Sequence, residues 1–216
     1  MTRTLAALAF ALLALVAGPP ALAAADTAPD ALVRKSIDEV LALIKADKEL
    51  QGGDPKKLHA LVEEKVLPHF DFTRMTRLAV GRNWSQASDA QKEALTREFQ
   101  TLLVRTYSTS ISQYRNQTID VRPAKIAAGD KDTVVKTVVN QPGGQPIPID
   151  YAMQRADKGW KVYDVMVDGV SLVTTYRSSF NDQIQKSGVD GLVKTLADRN
   201  NSSEAPKAPV KVDLKK

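Results

Sequence analysis

The chain has no cysteine and only two histidines among its 216 residues. The first absence excludes disulfide staples, thiolate metal sites and an acylated lipoprotein anchor. The second leaves little for metal ligation: His59 sits among Lys57, Glu63 and Glu64, while His69 follows Pro68, so neither joins a soft-metal cluster. No G-x-x-x-x-G-K-[ST] motif occurs, which excludes a P-loop ATPase. No Lys/Arg run is interleaved with aromatics, so nothing points to nucleic acid. The apolar run near the N-terminus covers about 13 residues, short of the roughly 20 that a membrane span needs.

That run nevertheless has a meaning. Arg3 supplies a minimal basic region, Leu5 to Val16 is apolar, Gly18-Pro19-Pro20 breaks the run, and Ala21-Leu22-Ala23 reads as a cleavage signal. Residues 1–23 are therefore expected to be a cleaved signal peptide. No twin arginine is present, which favours the general secretory route. The formal charge is +5, and Arg3 is the only charge in the leader, so removing it leaves +4. A soluble exported product of roughly 190 residues buries one sizeable core without staples.

Hydrophobic periodicity divides the remainder into three parts. Helices come first. Ala31 to Ile44 places Leu32, Val33, Ile37, Val40, Leu41 and Ile44 on one stripe, and Asp54-Pro55 begins a second helix that ends near Pro68. Phe72, Met75, Leu78 and Ala79 mark a third, stopped at Gly81. The fourth starts at a Ser88–Gln91 capping box and carries Leu95, Phe99, Leu102, Leu103, Tyr107, Ile111 and Tyr114 over about 25 residues.

Strands follow: Thr118 to Ile126, Thr133 to Val139, an alternating Ile147–Ile149–Tyr151–Met153 segment, and Trp160 to Val167, joined by short turns. After Asp168-Gly169 the period returns to helical through Leu172, Val173, Tyr176, Phe180 and Ile184, and a short helix runs from Asp190 to Ala197. From Asn200 the composition is that of a disordered tail. The expected architecture is one α+β domain over residues 24–199, with helices packed on one face of a curved antiparallel sheet of about four strands.

Catalytic motifs are sparse. His69 and Asp71 would make half a triad, but Ser171 lacks the G-x-S-x-G elbow and reads as the N-cap of the following helix. Glu63 and Glu64 are adjacent, so on a helix they point about 100° apart and make no acid/base pair. What remains is a large set of apolar stripes. Periodicity alone leaves open whether they fill a core or line a pocket.

Three blocks bear on that question. They are Val66-Leu67-Pro68-His69-Phe70-Asp71-Phe72 through Leu78-Ala79-Val80-Gly81-Arg82-Asn83-Trp84; Phe99-Gln100-Thr101-Leu102-Leu103-Val104-Arg105-Thr106-Tyr107; and Gly159-Trp160-Lys161-Val162-Tyr163-Asp164-Val165-Met166-Val167-Asp168-Gly169-Val170-Ser171-Leu172-Val173. With Gly188-Val189-Asp190-Gly191-Leu192, their order resembles the MlaC, or toluene-tolerance, family over residues 30 to 197.

The resemblance implies a non-enzymatic, soluble periplasmic carrier of phospholipid, without cofactor. It would serve an ABC transport system that maintains outer-membrane lipid asymmetry. Its implied partners are an MCE-type inner-membrane subunit, MlaD, and an outer-membrane MlaA–porin complex. The implied fold has NTF2-like character, with acyl chains in an apolar pocket between sheet and helices. Given such a pocket, the stripes assign its wall to Leu102, Leu103, Tyr107 and Ile111 of the long helix. Tyr151, Met153, Val165 and Val167 of the sheet, then Val170, Leu172, Val173 and Tyr176, supply the rest. A binder of small apolar solutes and a hydrolase are the competing readings. Volume separates the first from a phospholipid carrier: a small ring needs a few hundred Å³, and two acyl chains need the upper range of ligand pockets.

Overall fold

Capping chemistry sets the helix boundaries in the computed structural model, which describes residues 27–112, 116–127 and 129–204, without the side chains of residues 109–112. The expected signal peptide, Tyr114 of the long stripe and the tail beyond residue 204 lie outside the described residues. Helix α1 (Pro29–Ala46) starts with proline in its first turn. Asp47 then accepts the amide hydrogens of Glu49 (2.8 Å) and Leu50 (3.2 Å) and opens a short helix, α2 (Lys48–Gly52). Asp54 does the same for α3 (Pro55–Leu61) through the Lys57 amide. Pro68 cannot continue an α-helix, and the chain widens into a π-helical turn (Val62–Val66) and then tightens into a 3-10 turn (Leu67–His69).

Asp71 caps α4 (Phe72–Val80) through the Arg74 amide at 2.8 Å, and Gly81 ends it at φ 64°. The capping box of α5 (Asp89–Ser112) closes in both directions: Gln91 N–H donates to the Ser88 hydroxyl at 3.2 Å, and Ser88 N–H donates to Gln91 Oε1 at 2.9 Å.

The sheet is an antiparallel meander in the order β1 (Thr118–Val121), β2 (Asp132–Asn140), β3 (Ile147–Ala156), β4 (Gly159–Val167), β5 (Val170–Ser171). It therefore has five strands where the sequence suggests about four. Asp168 (φ 50°) and Gly169 (φ 76°) both lie in the left-handed region, which makes a tight hairpin, and two residues pair back on β4 before the helix begins. β1 is shorter than expected: the Arg122 amide still bonds Lys136 at 2.9 Å, but Pro123 has no N–H with which to continue the ladder.

Ser171 caps α6 (Leu172–Thr175) by accepting the Thr174 amide at 2.9 Å. Helix α7 (Arg177–Asn201) merges the two final helices across a kink at Gly188, whose φ of 70° only glycine adopts readily.

Register decides which side chains face the helices. Ile147, Ile149, Tyr151 and Met153 oppose Val139, Thr137, Val135 and Thr133 across β2–β3, and this face turns inward. Between β3 and β4 the pairing slips: Ala152 opposes Asp164 but Met153 opposes Val162, leaving Tyr163 as an extra residue. This bulge lets Val162 and Val165, three apart, reach the same side of the sheet. On the helix side, Phe99 meets Tyr176 (5.1 Å) and Phe180 (5.2 Å) edge-on. Leu95, Leu102, Leu103, Val173, Leu192 and Leu196 pack in that cluster, with Met75, Ala79 and Val80 of α4. A second cluster joins Val33 of α1 to Val121, Val135, Met153, Trp160 and Val162.

Candidate functional site: an apolar cavity between helices and sheet

The two clusters do not meet throughout. Between them lies a cavity of about 370 Å³ bounded by α1, the turns from Val62 to Phe70, α4, α5, α6 and the inner face of the sheet. Helix α1 contributes Leu32, Val33, Ile37, Val40, Leu41 and Ile44, the apolar stripe of its sequence. Val62, Val66, Leu67, Phe70, Phe72 and Met75 form the next wall, and Leu103, Val104 and Tyr107 of α5 a third. Ile119, Val139, Ile149, Tyr151, Met153, Val162 and Val165 make the sheet side, with Leu172 at its edge. Among the described residues the lining carries no carboxylate, ammonium or guanidinium; its polar side chains there are Ser36, His69, Ser108 and the two tyrosines.

Six of the residues assigned from the sequence lie on this wall: Leu103, Tyr107, Tyr151, Met153, Val165 and Leu172. Five do not. Leu102 (1% exposed) is one residue from Leu103, hence turned about 100° around α5, and packs wholly within the Phe99 cluster, which Leu103 joins from the cavity side. Val173 and Tyr176 join the same cluster, whereas Leu172 next to Val173 faces the cavity. Val167 packs with Val139, Ile147 and Leu172 in a small cluster beside the cavity. Val170 stands on the β5 hairpin and is 48% exposed. The side chain of Ile111 lies outside the described residues. The wall from α1 to Met75 was not anticipated, although the α1 stripe itself was visible.

Burial sets the electrostatics. It pushes the Tyr151 hydroxyl up to about 12, opposed by a hydrogen bond with Thr137. Thr137 in turn donates to the Ile149 carbonyl at 2.6 Å. Burial likewise holds His69 below the ordinary histidine range; Lys161 and Lys35 add to this, and Glu39 opposes it.

The hydrolytic residues are committed elsewhere. Asp71 uses one oxygen to cap α4 and the other to accept from Gln154. The Ser171 hydroxyl donates to Asp164 and caps α6. Asp164 also accepts the amide hydrogens of Val165 (2.8 Å) and Val173 (3.2 Å), so it ties β5 and α6 to β4. Among the described residues, no group of three His, Cys, Asp or Glu side chains is placed to hold a metal ion. No helix among them is long and apolar enough to cross a membrane.

Fold and cavity together define an α+β domain whose most distinctive surface is internal and apolar, as a binding protein for apolar cargo requires. The MlaC protein family model matches residues 34–198, and the chain belongs to that family. It is 28% identical to the Toluene tolerance protein ttg2D of Pseudomonas putida over 186 residues, 86% of each chain. It is 25% identical to the Intermembrane phospholipid transport system binding protein MlaC of Haemophilus influenzae, over 81% of this chain and 83% of that one. Among solved structures, the phospholipid-binding protein from Ralstonia solanacearum, in complex with a phospholipid, is 43% identical. The two superimpose with a TM-score of 0.74, covering 82% of this chain and 97% of the other.

Proposed function

We propose that the chain is a periplasmic phospholipid carrier, exported by its leader and shuttling lipid between an outer-membrane MlaA–porin complex and an inner-membrane ABC complex bearing an MCE subunit of the MlaD kind. The observation that carries this reading is the cavity, an apolar chamber in a chain 43% identical to a protein solved with a phospholipid. The name of the Haemophilus relative, a binding protein of an intermembrane phospholipid transport system, supports the transport role.

Energetics explains why such a carrier encloses its cargo. A methylene fills the ~30 Å³ share of one water in the liquid, so a cavity of about 370 Å³ takes about a dozen methylenes. At about 0.8 kcal/mol per CH₂, sheltering them from water is worth about 10 kcal/mol. That volume suits one acyl chain. A second chain requires a wall to yield, and α1 is the wall that crosses the cavity between anchors at Val33 and Ile44.

The experiment is transfer of a fluorescent phospholipid from donor to acceptor vesicles, with the mature chain as the only protein. The expected result is a rate proportional to protein concentration; a rate equal to the protein-free blank overturns the carrier reading. The modest volume specifically favours the second reading, a binder of small apolar solutes. Displacement of bound phospholipid by toluene at comparable affinity would support it.

A further inference from the structure

Three lysines stand next in sequence to residues of the cavity lining, and each is held by one partner. His69, the only imidazole on the cavity wall, closes the 3-10 turn, and the next residue, Phe70, bridges to Val162 of β4. Lys161, adjacent to Val162, donates from its ammonium to the Pro68 carbonyl, one residue before His69. An ammonium has three donors, so two remain after that bond. Among the described residues Lys161 has no carboxylate within ion-pair distance, and it is only partly exposed.

From α1, Lys35 stands beside Ser36, a cavity-lining residue. It meets Glu39 at a loose 3.8 Å with 73% of its side chain exposed. From the π-helical turn, Lys65 stands beside Val66 of the lining and is paired with Glu64 at 2.7 Å. The charged groups that act on His69 are therefore Lys161 from β4 and Lys35 and Glu39 from α1.

We propose that Lys161, Lys35 and His69 form a lip that takes a phosphate group, the one chemical feature of a phospholipid that an apolar chamber cannot accept. The inference rests on the phospholipid reading above and adds a headgroup site to it. Two lysines of different elements supply charge-assisted donors. His69 adds a response. Burial and the two lysines hold its ring neutral near pH 7, whereas an arriving phosphate reverses the local field. The ring then takes up a proton from solvent and becomes a second-nitrogen donor toward the anion.

The test is an NMR titration of both histidine rings in the full mature chain, stripped of cargo. His59, exposed and 3.3 Å from Glu63, serves as the internal reference. Three additions are compared: a diacyl phosphatidylglycerol, the diacylglycerol with the same chains, and inorganic phosphate. The lip predicts that His69 titrates at higher pH with the phospholipid, stays low with the diacylglycerol, and leaves His59 unmoved in both. Lys161→Met, which keeps the apolar stem, should weaken the phospholipid roughly tenfold, as loss of one charged hydrogen bond does, and leave diacylglycerol unchanged.

Both amphiphiles binding with equal effect on His69, or both weakened equally by Lys161→Met, overturns the lip and leaves the cargo reading standing. A His69 shift with inorganic phosphate alone, and none with the phospholipid, assigns the cluster to a free anion and also overturns the lip. Binding of neither amphiphile overturns the cargo reading and the lip with it.

Discussion

Leu102 and Leu103 offer a paired perturbation on a single helix. Both are nearly inaccessible, at 1% and 7% exposed, and both pack in the Phe99 cluster, but only Leu103 also borders the cavity. A carboxylate at position 102 loses its solvation inside a packed core, at a cost of several kcal/mol, and forfeits the burial of a leucine, about 1.5–3 kcal/mol more. Set against a total stability of about 5–15 kcal/mol, that unfolds the domain or nearly so.

At position 103 the same carboxylate can turn toward the open space of the cavity rather than into packed side chains, so the folding penalty is smaller and the domain should stay folded, with a lowered Tm. Cargo is lost: a penalty of about 3 kcal/mol against an acyl chain lowers affinity about a hundredfold. The assay is lipid content by mass spectrometry and thermal unfolding measured on the same preparations of Leu102→Asp and Leu103→Asp. The expected outcome is a collapsed Leu102→Asp and a folded, lipid-poor Leu103→Asp. A Leu103→Asp protein that retains full cargo, or that unfolds as completely as Leu102→Asp, refutes the placement of the cavity wall.

Three further outcomes follow from local geometry. Ser88→Ala opens the reciprocal capping box of α5 and should cost about 1 kcal/mol, a drop of about 2–4 °C in Tm; an unchanged Tm would show the box to be idle. Asp164→Ala leaves the buried Val173 amide without its acceptor and should cost about 1–3 kcal/mol. Asp164→Asn keeps one acceptor oxygen and should cost less, so equal urea midpoints for the two variants would contradict the proposed tie. Tyr151, pushed up to about 12 by burial, should remain protonated at a pH where tyrosines of the unfolded chain ionise. Because its folded value is raised, it takes nothing from stability below about pH 10 and a growing amount above it, and Tyr151→Phe should flatten that alkaline fall. An alkaline unfolding curve identical in wild type and Tyr151→Phe would count against the burial.

Local chemistry was the most legible part of the chain. The Ser88–Gln91 box, the Asp54-Pro55 start, the Gly81 stop and the Ile147–Met153 alternation all stand in the structure where composition and period put them. Features that depend on one or two residues were hidden. β5 is two residues long and helix α2 five, too short for any period to register. The break between the last two helices was visible and stands at Gly188, where the backbone leaves helical geometry within α7.

The cavity wall was half legible for a physical reason. An amphipathic stripe records which face of a helix avoids water, and Leu102 and Leu103 both do so. It does not record whether the avoided water is replaced by protein or by space. The same ambiguity hid α1, whose stripe from Leu32 to Ile44 reads as ordinary core packing yet spans the chamber. The β4 bulge at Tyr163 also has no sequence signature here, and without it Val162 and Val165 would not share a face.

The central claim, that the cavity holds a phospholipid, is tested most directly by what the protein carries from its host. Mature chain purified from the host envelope without detergent should yield, in an organic extract examined by mass spectrometry, diacyl phospholipid in near-stoichiometric amount. An extract free of phospholipid from folded protein, or one containing only small apolar solutes, would contradict it.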